Sequence, residues 1–78
     1  MAQSIANRVV AEKPTLVVVH PGPRHKWEVR PGDQARPQFF AELELAVSYA
    51  QLWGAIHRPS IVTVVANDGG IEQEWQFN

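Results

Sequence analysis

The chain has 78 residues, a net charge of −1 and 45% hydrophobic residues. That is room for one globular domain and too apolar a composition for wholesale disorder. There is no cysteine, which excludes disulfides and thiolate metal centres. The near-neutral charge argues against strong electrostatic attachment to nucleic acid or to an anionic membrane. A domain this small buries only a modest core, so self-association becomes a natural source of added stability.

Residues 1–14 are expected to form a loosely ordered tail, because Ile5, Val9 and Val10 stand alone among polar residues. This segment lacks the apolar run of a secretory signal. The longest apolar runs elsewhere are strand-sized and too short to span a bilayer. The expected location is therefore cytoplasmic, without membrane contact.

Residues 15–78 read as a single ββαββ domain. Thr15 to His20 is rich in β-branched residues and predicts a first strand. Pro21-Gly22-Pro23 ends it, since neither proline can donate to a ladder. Lys26-Trp27-Glu28-Val29-Arg30 alternates polar and apolar residues, the pattern of a half-buried strand. With Pro21 to His25 as the connection, Val17 and Val19 face the same side as Trp27 and Val29. Pro31-Gly32-Asp33 supplies turn chemistry.

From about Pro37 to Ile56 the spacing predicts a helix, with Pro37 suited to its first position and Gly54 and Pro59 bracketing its end. Neither Arg36 nor Ala41 is a good N-cap, so the start is not sharply defined. At 100° per residue, Phe39, Phe40, Leu43, Ala46, Val47, Ala50 and Trp53 gather on one arc that would pack on a sheet. A second apolar stripe, Leu45, Tyr49, Leu52 and Ile56, follows i, i+4, i+7, i+11 spacing on the far side. One helix on one sheet needs a single apolar face, so the stripe calls for a cover. Ile5, Val9 and Val10 could supply it from within the chain. A second copy or another protein could supply it from outside, and the thinness of the internal lid favours the outside partner.

Ile61 to Ala66, Asn67-Asp68-Gly69-Gly70 and Ile71 to Phe77 form the strongest local signature, two strands about an Asp-Gly turn. A two- or four-residue loop puts Ala66 opposite Ile71 and Val62 opposite Trp75. Val62, Val64, Ala66, Ile71, Gln73 and Trp75 then share the core face. Ile61, Thr63, Val65, Glu72, Glu74 and Gln76 share the outer one. Leu16 and Val18 join Ile61 and Val65 as a second exposed apolar candidate surface. The whole is expected to be an α+β two-layer sandwich, one helix on a mostly antiparallel four-stranded sheet.

Chemistry-bearing groups are sparse. The spacing of His20, His25 and His57 matches no zinc motif, and no cofactor is expected. His57, with Arg58, suits the C-terminus of the helix dipole. Ser4, Ser48 and Ser60 lack a nucleophile-elbow context. The pairs Glu42/Glu44 and Glu72/Glu74 read as solvated surface. A hollow holding His20 or His57 beside a carboxylate would be the mark of a catalytic site. Arg24, Lys26, Arg30 and Arg36 surround the first hairpin, with His25 and Trp27 among them, a pattern compatible with single-stranded nucleic acid. Acidic residues at the other hairpin balance this charge, and Trp27 should point into the core.

The arrangement of Trp27-Glu28-Val29, Phe40, Ala46, Tyr49-Ala50 and Asp68-Gly69-Gly70-Ile71 resembles a family of small bacterial domains of unknown function. The resemblance covers roughly Leu16 to Phe77. It departs from the pattern at Ala41, where a capping Ser, Thr or Asp would stand. It implies a ββαββ fold and no activity. The sequence therefore points to a non-catalytic interaction module, homodimeric or bound to another protein through Leu45, Tyr49, Leu52 and Ile56. The alternative is a weak nucleic-acid binder using Arg24, Lys26, Arg30 and Arg36.

Overall fold

The computed structural model describes residues 13–32 and 35–78. The expected tail over 1–14 and the internal lid of Ile5, Val9 and Val10 lie outside the described residues, apart from Lys13 and Pro14. The elements in chain order are β1 (Thr15–Pro21), a short 3₁₀ turn (Pro23–His25), β2 (Trp27–Pro31), β3 (Gln38–Phe40), helix α1 (Leu43–Ile56), β4 (Ser60–Val65) and β5 (Ile71–Phe77). They make an α+β fold in which the sheet order is β3-β2-β1-β4-β5.

Two features differ from the expected sheet. It has five strands, because Gln38–Phe40 leaves the predicted helix and pairs antiparallel with β2, Phe40 opposite Trp27 and Phe39 opposite Glu28. The physical reason is local. Two adjacent aromatics favour a pleated strand, and Pro37 is tolerated at the start of an edge strand, where its missing N–H costs nothing. The helix starts at Leu43, after an N-cap residue, Glu42, whose side chain makes no capping hydrogen bond.

The sheet is also mixed, since β1 and β4 run parallel, Val17 beside Val62 and Val19 beside Val64. Parallel neighbours need a long crossover, and here β2, β3 and α1 together provide it. Placing β1 and β4 at the centre explains why both read as nearly continuous apolar runs.

The first hairpin has the expected register. Val19 faces Val29 and Pro21 faces Trp27 across β1 and β2. Its tip carries two consecutive non-glycine residues at positive φ, Arg24 (60°) and His25 (59°). The loop is closed by the Gly22 N–H donating to the Lys26 carbonyl at 2.7 Å.

The second hairpin keeps the predicted Val62–Trp75 pairing but changes near its turn. Ala66 donates to the Gly70 carbonyl at 2.8 Å and accepts from the Gly69 N–H at 2.9 Å, which encloses a three-residue loop, Asn67-Asp68-Gly69. Gly69 takes φ +89°, as a type I turn ending in a left-handed residue requires. Asp68 helps by accepting the Gly70 N–H at 2.8 Å. The register then shifts between Val64 and Val65, so Ile71 lies opposite Val65 instead of Ala66. An extra residue in β5 turns Ile71 to the outer face. Ile71 is accordingly 65% exposed and is not part of the core.

The core is built from small side chains. Val17, Val19, Val29, Val62 and Val64 from the sheet meet Ala46 and Ala50 from the helix. Trp27, Phe40, Leu43, Val47, Tyr49, Trp53, Trp75 and Phe77 pack around this centre. Of the arc predicted for the helix, Phe39 and Phe40 thus belong to β3, while the rest packs inward. Ala46, Ala50 and Gly54 are the buried residues of α1. They form one stripe at four-residue spacing, which lets the helix backbone lie close to the strands. A Cβ at Gly54 would stand 2.8 Å from Val62 Cγ2 and 2.9 Å from Ser60 Oγ. Buried Ser60 also donates its hydroxyl to the Gly54 carbonyl at 2.7 Å, tying the last turn of the helix to the start of β4. As expected, His57 and Arg58 finish the helix. His57 Nδ1 contacts the Trp53 carbonyl at 2.8 Å, and Arg58 Nε donates to the Ala55 carbonyl at 3.0 Å.

Candidate interaction surface

Because the stripe Ala46-Ala50-Gly54 faces the sheet, the residues half a turn away face outward. Leu45 is 55% exposed, Leu52 62% and Ile56 67%. These three aliphatic side chains lie in line along about 16 Å of helix at 1.5 Å rise per residue. Tyr49, the fourth residue of the predicted stripe, is different. It is partly buried, with its ring 5.3 Å from that of Phe40 at a 41° tilt. It forms a shoulder between the ridge and the core.

The sheet has a helix on one face among the described residues. Its other face carries Leu16 (56% exposed) and Phe39 (48%) with Ile71, and half-buried Val18, Ile61 and Val65 among them. The second candidate surface is therefore present and is larger than the sequence suggested, because β3 adds Phe39 and the β5 register shift adds Ile71. Glu28 lies on this same face opposite His20 and is only 6% exposed. Its carboxylate accepts a hydrogen bond from Arg30 Nη2 and stands 3.6 Å from His20 Nε2.

That pair places a histidine beside a carboxylate, the feature that would mark a catalytic site. His20 Nδ1 contacts the Pro21 carbonyl at 3.0 Å, Nε2 stands beyond hydrogen-bond reach of Glu28, and the ring borders a shallow hollow with Val18, Val65 and Asn67. Ser60 is buried and donates to the Gly54 carbonyl, and Ser48 is exposed on the helix. Among the described residues, no group of three or more His, Asp or Glu side chains is arranged to hold a metal ion.

The four basic candidates separate. Arg24 and Lys26 border one hollow with Pro23 and Phe39 at the tip of the first hairpin. Arg30 is on the outer sheet face, bonded to Glu28. Arg36 is exposed in the connection before β3. Trp27 packs against the core, so the exposed aromatic beside the basic pair is Phe39, which sequence reasoning had placed on the helix.

No helix among the described residues is long and apolar enough to cross a membrane. No family model, no curated protein and no solved structure matches this chain.

Proposed function

We propose that the chain is a non-catalytic interaction module that self-associates through the outer ridge of α1. One observation carries this reading: Leu45, Leu52 and Ile56 are each more than half exposed on one line of a well-formed helix. Their spacing, with Tyr49, is that of a helix–helix seam. A twofold axis between Ala50 and Gln51 with the helices antiparallel would set Leu45 against the partner copy's ridge near its far end. It would also bring the acidic first turn, with Glu44, toward the other copy's His57 and Arg58. Opposed helix dipoles favour the same orientation. The resemblance to small bacterial ββαββ domains belongs to this reading, since its motifs (Trp27-Glu28-Val29, Phe40, Ala46, Tyr49-Ala50 and Asp68-Gly69-Gly70-Ile71) are those of strands, helix packing and a turn, and it implies no activity.

Sedimentation velocity on the wild type and on Leu52→Glu tests it. The wild type is expected to associate in the micromolar range, and Leu52→Glu, with an unchanged far-UV spectrum, to lose that contact. A wild type that stays monomeric up to about 1 mM, where binding is worth only about 4 kcal/mol, would refute it.

A second reading rests on Arg24 and Lys26 beside the half-exposed Phe39 ring, a stacking platform with cations at its rim. It assigns weak single-stranded nucleic-acid binding to the hairpin tip, with Arg30 and Arg36 peripheral. Anisotropy of a labelled oligonucleotide should then rise at low salt and fall as salt is added. No rise at low salt removes this reading.

A further inference from the structure

Beyond the helix ridge, we infer that the outer sheet face is a second self-contact, seating a second copy of this chain face to face. The argument is its charge pattern. Arg30, Val18, Thr63 and Glu74 form one row across four strands, since Val18 pairs with both Arg30 and Thr63, and Thr63 with Glu74. Leu16 and Ile61 are paired in the next row on the same face.

The row is self-complementary. A twofold axis lying in the contact plane, parallel to the strands and midway between β1 and β4, reverses the strand order while keeping the height along the strands. It sets β1 over the partner's β4 and β2 over the partner's β5. Val18 then meets the other copy's Thr63, and Leu16 meets the other copy's Ile61. Arg30 stands over the other copy's Glu74, twice by symmetry. The two charged strands sit equally far from the axis, one and a half strand spacings to either side, about 7 Å. Face-to-face sheets pack at about 10 Å with a modest rotation, within reach of an arginine and a glutamate side chain. Arg30 bonds Glu28 through one guanidinium nitrogen, which leaves further donors for a second carboxylate.

Like charges would meet if the same faces were rotated about the perpendicular in-plane axis, because β2 would then cover β2. The pattern therefore selects one arrangement as well as permitting it. The footprint of the four overlapping strands is about 20 by 20 Å, about 800 Å² over both copies and below the standard size of specific interfaces, so weak association, with dissociation at high micromolar concentration or above, is expected. Two twofold contacts on opposite sides of one chain build assemblies larger than a dimer.

The test uses the full chain in a Leu52→Glu background, which removes the helix contact and so separates the two proposals. Sedimentation should still show a dimer. Leu16→Lys in that background should abolish it. Glu74→Arg, a fully surface substitution, should weaken it by tenfold or more, and adding Arg30→Glu should recover most of the loss. Circular dichroism confirms that each variant is folded. If the Arg30→Glu chain does not fold, Glu74→Arg and Leu16→Lys decide the matter alone. A folded Leu52→Glu variant that is monomeric while the wild type dimerises overturns the sheet contact and leaves the helix contact standing. Unchanged association in Glu74→Arg overturns the twofold arrangement.

Discussion

Replacing Gly54 with alanine puts the closest helix–sheet approach to the test. The added methyl would stand 2.8 Å from Val62 Cγ2, 2.9 Å from Ser60 Oγ and 3.2 Å from Phe77 Cδ2. Carbon atoms pack at about 3.5–4.0 Å, so the last turn of the helix would have to retreat by roughly 0.5–1 Å. The two nearest neighbours are held in place. Val62 is fully buried in a central strand, and Ser60 is held by its hydrogen bond to the Gly54 carbonyl. Overpacking of this kind costs about 1–3 kcal/mol. Alanine recovers about 1 kcal/mol through its better helix preference. The balance is a loss of up to about 2 kcal/mol, which in a domain of this size lowers Tm by up to about 15 °C.

Urea and thermal unfolding followed by far-UV circular dichroism would measure it, at one low protein concentration so that association does not shift the midpoint. The urea midpoint should fall with the slope unchanged. Val62→Ala removes the nearest atom, so the two substitutions together should cost about 1 kcal/mol less than their sum. A Gly54→Ala chain more stable than the wild type, showing the full helix-propensity gain of about 1 kcal/mol, would show that the helix does not lie as close to β4 as described.

The turns give a contrasting expectation. Gly69→Ala meets no atom within 4 Å, so its cost should come from the backbone at φ +89° alone, about 1–2 kcal/mol, with no rescue by trimming neighbours. The outer sheet face gives another. Arg30→Ala would leave the nearly buried Glu28 carboxylate without its donor, at a cost of about 1–3 kcal/mol. Glu28→Gln should relieve most of that loss in the double variant, and a double-mutant cycle from urea midpoints measures the coupling. Additive effects would show that the Arg30–Glu28 contact contributes nothing to stability.

Several elements of the fold were readable because local chemistry and tertiary context agree in them. Pro21-Gly22-Pro23 breaks β1, Lys26 to Arg30 alternates, and His57 with Arg58 closes the helix. The misreadings occur where a local pattern was compatible with two states. Phe39 and Phe40 fit the helical arc by angle, but two adjacent aromatics after a proline fit an edge strand equally well. A missing cap could not decide between them, since the helix starts after Glu42 with no side-chain capping bond. Likewise, Leu16-Val17-Val18-Val19 and Ile61-Val62-Thr63-Val64-Val65 are apolar at successive positions. Such runs belong at a sheet's centre, and two central strands joined by a helical crossover run parallel. A hairpin-by-hairpin reading misses this, because it pairs each strand only with its neighbour in sequence.

The candidate surfaces were legible in part for a related reason. Helical spacing alone separates Leu45, Leu52 and Ile56 from Ala46 and Ala50, since the smaller residues must face the strands if the backbones approach closely. Tyr49 belongs to the same stripe by angle, yet it packs on Phe40, and that contact exists only because Phe40 sits in β3 at the sheet edge. The row Arg30-Val18-Thr63-Glu74 depends even more on topology. It joins four strands from the two ends of the chain, and it exists only once β1 lies parallel to β4. Reversing the direction of β4 would keep every local pattern in the sequence and destroy that row. The charge pattern is therefore a property of the topology, and association through this face would be sensitive to substitutions that alter strand register while leaving surface composition untouched. Deleting Glu72, the extra residue of β5, would test that sensitivity through the one irregularity in the β4–β5 ladder.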